Sequence, residues 1–233
     1  KISERQKLHL PHYAIHSMAL SPDGSKVAVG GKNKHVNVYD LSSKNLLYQY
    51  PHKGVLELQY SNDGRYLFTR GWDNRIKIWD LENHAAVFNA AVSSNDVRTF
   101  AFANQHSLMA AAGDGKEIKL FNTAHQKASS KLPGLHKGRI TSLVFGPEDK
   151  ILYTAGKDGY ILKRFLNTDQ VEKIKMNAAV NALCFYQPDS LILSVDDKGR
   201  ISKIKPASFQ VLSQHKVSDY SLEHLAGSSL TNV

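Results

Sequence analysis

"SNDGRYLFTRGWDNRIKIWDLEN", residues 61–83, decides the fold, because "SPDGSKVAVGGKNKHVNVYDLSS", residues 21–43, repeats its pattern without a gap. Each stretch opens on a Ser-x-Asp-Gly turn, runs through an apolar segment, turns again and closes on an aromatic–Asp pair. That pair is Tyr39-Asp40 in one and Trp79-Asp80 in the other. A third copy closes on "EIKLFN" at Phe121. A fourth runs "FGPEDKILYTAGKDGYILKRF" to Phe165, and a fifth, "YQPDSLILSVDDKGRISKIKP", ends near Lys205. The closing positions lie 40 to 44 residues apart. Self-similarity at such a period marks a repeat architecture.

Within a copy the pattern is that of strands. "VLELQY", "YLFT", "RIKIW" and "AAVFNA" are short β-branched or aromatic runs separated by turn residues. Asp-Gly pairs join strands tightly, glycine taking the positive-φ position. No segment holds a helical period over four turns. A four-stranded unit of about 40 residues cannot bury both of its faces, so the copies must stack on one another.

The bulk numbers narrow the chemistry. The chain has 233 residues, a formal charge of +9 and a pI near 9.5. That surplus favours acidic partners, nucleic acid among them. Yet 22 of the 30 basic residues are Lys, the less specific of the two for phosphate. A single cysteine, Cys184 in "NALCFY", excludes an internal disulfide and a multi-thiolate zinc site, and its apolar setting reads as an inert buried thiol. No window approaches the ~18 apolar residues of a membrane span, so no membrane insertion is expected, and the thiol usage fits an intracellular chain, cytoplasmic or nuclear. The 11 histidines show no metal-ligand spacing, and "GGKNK" and "GDGKE" lack the spacing of a phosphate loop. No metal, cofactor or small-molecule substrate is expected.

The repeat resembles the WD40 family over nearly all of residues 10–215, most specifically in the second copy, with His52, Thr69, Asp73 and Trp79-Asp80. The resemblance implies an all-β fold, a WD40 β-propeller of four-stranded antiparallel blades, with repeats near 10–50, 51–90, 91–134, 135–174 and 175–215. Residues 216–233 would begin a further blade or form a C-terminal tail. "VLSQHKVSDYSLEHLAG" reads as the opening of a sixth copy with His215 in the histidine place, and "SDYSLEHLAG" reads alternatively as a short helix. "KISERQKLHL" reads as the closing strand of a preceding blade. Five copies are fewer than the family's usual seven, so a segment of a larger propeller is expected. One stretch, "AVGGKNKHVNVYDL", is also similar to the actin-interacting tandem-propeller branch of the family.

In such blades the polar set is a hydrogen-bonded chain, which the resemblance maps onto His52 with Asp73, Thr69 with His52, and Trp79 with Thr69. The fourth copy repeats it in His136, Thr154 and Asp158, with Phe165 in the tryptophan place. The first copy keeps His12 but has Val29, Asn33 and Tyr39 elsewhere. In the third and fifth, Gly115 and Lys198 fall where the turn acid belongs, with Asp114 and Asp197 one place earlier. The competing reading is a His–Asp pair serving a nucleophile, nominally Thr69. A set that appears twice and decays elsewhere fits a structural brace better than catalytic machinery, so no catalytic residue is assigned.

Partner contacts would then come from the top face. By family analogy the residue before the turn acid gives Lys32, Trp72, Asp114 and Lys157. The positions opening the innermost strand give His16, Asp96, Arg98, Arg139, Thr141 and Asn181. Trp72 stands out, since tryptophan is enriched at interface hot spots and a turn does not require its burial. The expected function is a non-enzymatic scaffold that binds other proteins in a multi-subunit complex. The alternative is an RNA-associated propeller in a ribonucleoprotein or ribosome-assembly complex, motivated by the charge.

Overall fold

The structure is a computed structural model that describes residues 14–61, 63–91, 97–103, 108–114, 117–122, 127–186 and 190–223. It divides into two compact units, Lys1–Val92 and Ser93–Val233. Among the described residues every regular element is a strand.

The first unit holds two four-stranded sheets. Strands β1 (Ile15–Leu20), β2 (Lys26–Gly31), β3 (His35–Asp40) and β4 (Leu46–Pro51) form one; β5 (Val55–Tyr60), β6 (Tyr66–Gly71), β7 (Arg75–Asp80) and β8 (Ala85–Ala91) form the other. Each is an antiparallel meander in chain order. The Ser-x-Asp-Gly motif makes the first turn of each. Asp23 accepts bonds from the Ser21 hydroxyl at 2.5 Å and the Ser25 amide at 3.0 Å, and Gly24 takes φ 70°. Those bonds, the Ser21 hydroxyl first, draw the Asp23 carboxyl down to about 2.

The acid that follows the closing aromatic caps the next turn. Asp80 accepts the amides of Glu82 and Asn83 at 2.9 and 3.1 Å and an Arg65 guanidinium N–H at 3.2 Å. Asp40 does the same with Ser42 and Ser43. The turns end on Lys44 and His84 at φ 63° and 53°, and the third and fourth strands shift register three residues further on, at Leu47 and Val87.

The two sheets meet through a seam in which Ala28, Val36, Val38 and Tyr50 of the first face Val55, Leu58, Leu67 and Trp79 of the second. The third strand of the first sheet is buried from Val36 to Tyr39, which is why "VNVY" carries no charge, whereas β7 begins by alternating, with Arg75 and Lys77 half-buried around the buried Ile76 and Ile78.

The second unit holds three sheets of the same kind. They are β9 (Thr99–Phe102) to β12 (Lys127–Pro133) through β10 (Leu108–Ala112) and β11 (Glu117–Asn122); β13 (Ile140–Phe145), β14 (Ile151–Gly156), β15 (Tyr160–Phe165) and β16 (Val171–Lys175); and β17 (Val180–Tyr186), β18 (Leu191–Asp196), β19 (Arg200–Lys205) and β20 (Gln210–Lys216). The sheet of β13–β16 is packed on both sides. Ile140, Leu143 and Leu152 meet Ala110, Ala112 and Ile118 on one side. Tyr153, Ala155 and Ile161 meet Val180, Leu183 and Ile192 on the other.

Two expectations for the C-terminal end are corrected. His215 is not in the histidine place: it lies within β20, paired with Ile201, whereas His52 follows the last residue of β4. "QVLSQHK" is exposed or half-buried throughout, so its alternation is too polar to read as a strand from sequence. The segment Ser218–Glu223 is not helical. The Ser218 amide donates to the Gly199 carbonyl, the Leu222 amide to the Asp196 carbonyl, and the chain is drawn back over the fifth sheet. "KISERQKLHL", His12, Gly115 and the rest of "SDYSLEHLAG" lie outside the described residues.

Candidate functional site

In the first unit, β6 ends by delivering Thr69 inward and the Gly71–Asn74 turn outward, and His52 enters between them from the end of β4. The His52 ring is 1% exposed. Its Nε2 lies 3.1 Å from Asp73 Oδ1 and its Nδ1 2.6 Å from Thr69 Oγ1. A carboxylate only accepts, so Nε2 carries the proton and Nδ1 accepts from the Thr69 hydroxyl. Thr69 in turn accepts the Trp79 indole N–H at 3.1 Å. The result is one directed chain: Trp79 to Thr69 to His52 to Asp73. Burial lowers the His52 pKa below its ordinary 6.5, outweighing the Asp73 charge, which keeps the ring neutral as the chain requires.

The second unit repeats this in the sheet of β13–β16, with the ring turned over. His136 Nδ1 lies 3.0 Å from Asp158 Oδ1 and Nε2 lies 2.8 Å from Thr154 Oγ1. Arg164, not the expected Phe165, stands in the tryptophan place: it pairs with Leu152 as Trp79 pairs with Leu67, and its guanidinium donates to the Pro133 carbonyl at 2.6 Å rather than to Thr154. Burial alone would raise the Asp158 pKa, but the His136 N–H and the Lys137 amide hold it below its ordinary value.

Two glycines make room for these pairs. A methyl group on Gly71 would lie 2.6 Å from His52 Nε2, and one on Gly156 would lie 2.6 Å from His136 Nδ1. The repeated Gly-x-Asp in "TRGWD" and "TAGKD" carries this requirement in the sequence. The fifth sheet replaces the histidine set with Asp196, which accepts the Lys198 and Arg200 amides at 3.0 Å and the Arg200 Nε–H at 2.7 Å.

The buried histidines and threonines meet no solvent and no thiol. Cys184 is buried as well, its pKa raised by burial, which leaves it a poor nucleophile. Among the described residues no group of three His, Cys, Asp or Glu could hold a metal ion.

The outer contact residues divide into those left open and those already engaged. In the first unit Trp72 is 52% exposed. Its indole lies on Gly54 and beside His16, ring centroids 5.4 Å apart, so one face is packed and the other open. Lys32 and His16 are exposed.

In the second unit Asp114 sits between two arginines from successive sheets. Arg98 Nε donates to its Oδ2 at 2.8 Å and Arg139 Nε donates to its Oδ1. Burial alone would raise the Asp114 pKa, but the two guanidinium groups hold it below its ordinary value. All three side chains remain partly open to solvent. Lys157 donates to Asn181 Oδ1 at 2.6 Å. Asn181 itself is only 6% exposed and gives its amide hydrogens to Ser221 Oγ and the Leu222 carbonyl. Thr141 bonds the Val180 carbonyl at 2.6 Å, tying β13 to β17. Asn181 and Thr141 thus hold the fold together and offer little to a partner. Asp96 lies outside the described residues.

The comparisons agree with this architecture. The family model "WD domain, G-beta repeat" matches residues 4–40, 44–80 and 130–162. Among curated relatives, Protein HIR1 of Chaetomium globosum is 23% identical over 181 residues, 64% of this chain and 17% of its own. The U5 small nuclear ribonucleoprotein 40 kDa protein of Dictyostelium discoideum is 28% identical over 151 residues, 63% of this chain and 42% of its own. The target of rapamycin complex subunit LST8 of Mus musculus is 24% identical over 219 residues, 86% of this chain and 65% of its own. The chain therefore spans from about a sixth to under two thirds of these relatives. Three segments, a little under half of the chain, thus match WD40 repeats, and the antiparallel four-stranded sheets of the described residues are consistent with WD40 propeller blades.

Proposed function

We propose that the chain is a non-enzymatic docking scaffold, intracellular, that holds protein partners within a multi-subunit complex. The supporting observation is the division of polar residues. The histidines and threonines that resemble catalytic sets, His52, Thr69, His136 and Thr154, are buried, whereas the Arg98 and Arg139 guanidinium groups stay about half open at one end of the second unit. Two guanidinium groups around one carboxylate leave a surplus positive charge with unused N–H donors. A partner's carboxylate or phosphate fits it. Trp72, half packed and half open, serves the first unit as an anchor. That one similar protein is titled a complex subunit and another a ribonucleoprotein component supports assembly in general.

The test is affinity purification of the full-length protein with mass spectrometry, comparing the parent with Arg139→Glu and Trp72→Ala. Both variants should keep their circular dichroism, and each should lose partners that the parent retains. Normal recovery of every partner by both variants would remove the reading. The RNA reading rests on the +9 charge. It requires an affinity that falls linearly in log–log terms with salt, about one phosphate contact per unit of slope. A flat salt dependence excludes it.

A further inference from the structure

At the opposite end of the second unit, away from Arg139 and Lys157, the turns of the fourth and fifth sheets enclose a cleft of about 690 Å³. That volume falls within the range of ligand-binding pockets. Its walls are Ile151 and Phe165 from one sheet and Phe185, Leu191 and Leu212 from the other. Leu212, in the outermost strand, is 55% exposed at the edge of the cleft.

The charged groups along the cleft are unbalanced. Lys150, Lys163 and Lys205 line it against a single acid, Glu148. Glu148 is already bonded by Lys150 at 2.7 Å. Lys163, 5% exposed, sits at the base with its ammonium 3.1 Å from Glu172 and 4.9 Å from the centre of the Phe165 ring. Lys205 at the mouth has no ion-pair partner among the described residues. An apolar slot with a spare ammonium at its rim matches an aromatic or long aliphatic side chain carried beside a carboxylate. The slot opens between two rows of turns, so a backbone can lie across the rim while one side chain enters.

We propose that this cleft is a second docking site, separate from the arginine end, for a linear acidic peptide segment with one aromatic or large aliphatic anchor. The anchor fills the space between Phe165 and Leu212, and a flanking Asp or Glu pairs with Lys205.

Fluorescence anisotropy on the full chain tests it with three labelled octapeptides: one Phe flanked by Asp and Glu, the same peptide with Phe replaced by Ala, and the same peptide with its acids replaced by Lys. The first should bind saturably and at least about tenfold tighter than the other two. Leu212→Asp and Lys205→Glu, both at exposed positions, should each weaken it by a similar factor. Arg139→Glu should leave it unchanged, which separates this cleft from the arginine end. Equal binding of all three peptides, no saturable binding, indifference to both cleft variants, loss of binding in Arg139→Glu, or displacement of the peptide by a uridine oligonucleotide would each overturn the proposal.

Discussion

Replacing Thr69 by Val keeps the shape of a fully buried side chain and deletes one hydroxyl. In the second sheet that hydroxyl accepts the Trp79 indole N–H at 3.1 Å and donates to His52 Nδ1 at 2.6 Å, with the Lys77 carbonyl a longer alternative at 3.4 Å that needs nothing from it once paired in the sheet. Trp79 and His52 are buried, so both are left unsatisfied. At ~1–3 kcal/mol for each orphaned buried group, the loss is ~2–6 kcal/mol. The same substitution at Thr154 orphans only His136 Nε2, because Arg164, in the place of Trp79, gives its N–H to the Pro133 carbonyl instead, and costs ~1–3 kcal/mol. Urea unfolding of the full chain, followed by far-ultraviolet circular dichroism, measures both. Thr69→Val should lower the midpoint by about twice as much as Thr154→Val at unchanged slope. Trp79→Phe supplies the internal check: in that background the Thr69→Val penalty should fall to the Thr154→Val value. Equal penalties at the two threonines, or no coupling between Thr69 and Trp79, would refute the directed hydrogen-bond chain.

Gly71→Ala should destabilise by ~1–3 kcal/mol, since its methyl would press on His52 Nε2 and, at 2.9 Å, on Asp73 Oδ1. Gly146→Ala, whose nearest neighbour lies at 3.5 Å, should change the urea midpoint little, and similar effects for the two would sink the argument. The second outcome concerns pH. Burial depresses the His52 pKa in the folded chain below its ordinary 6.5, so the folded state binds fewer protons there than the unfolded state. Its contribution is complete above about 6.5 and is lost as pH falls below that value. The urea midpoint should therefore drop between pH 7.5 and 5.5 more steeply in the parent than in His52→Gln; parallel profiles would contradict the assignment.

Much of the architecture was readable because it is local and repeated. The Asp-Gly turns, the apolar alternation and the aromatic–Asp closures each act within about 20 residues, so every copy restates them. The partners His52, Thr69, Asp73 and Trp79 were named by the resemblance to WD40 repeats, and the structure brings all four within hydrogen-bonding distance. What stayed hidden depends on contacts between copies. Arg139 reaches Asp114 across 25 positions, and Asn181 reaches Leu222 across 41. Both bonds join segments far apart in the sequence, the second at about the repeat period, and the sequence does not say which side chains reach across. The arginines looked like free positive charge, but a shared carboxylate takes up part of it. Glycine is hidden for the opposite reason: at Gly71 and Gly156 the missing side chain is the informative feature, visible only when the ring beside it is in place. The polar outer strand around His215 likewise carries too little apolar signal to distinguish it from a loop.

The placement of the second histidine chain has a mechanical consequence. Within the second unit it lies in the sheet of β13–β16, the one that feeds both apolar seams. A fault there loosens a wedge and so undoes two joints at once, whereas damage to either flanking sheet opens a single joint. Mutational tolerance in this unit should therefore be lowest in its middle sheet and rise toward the outer two.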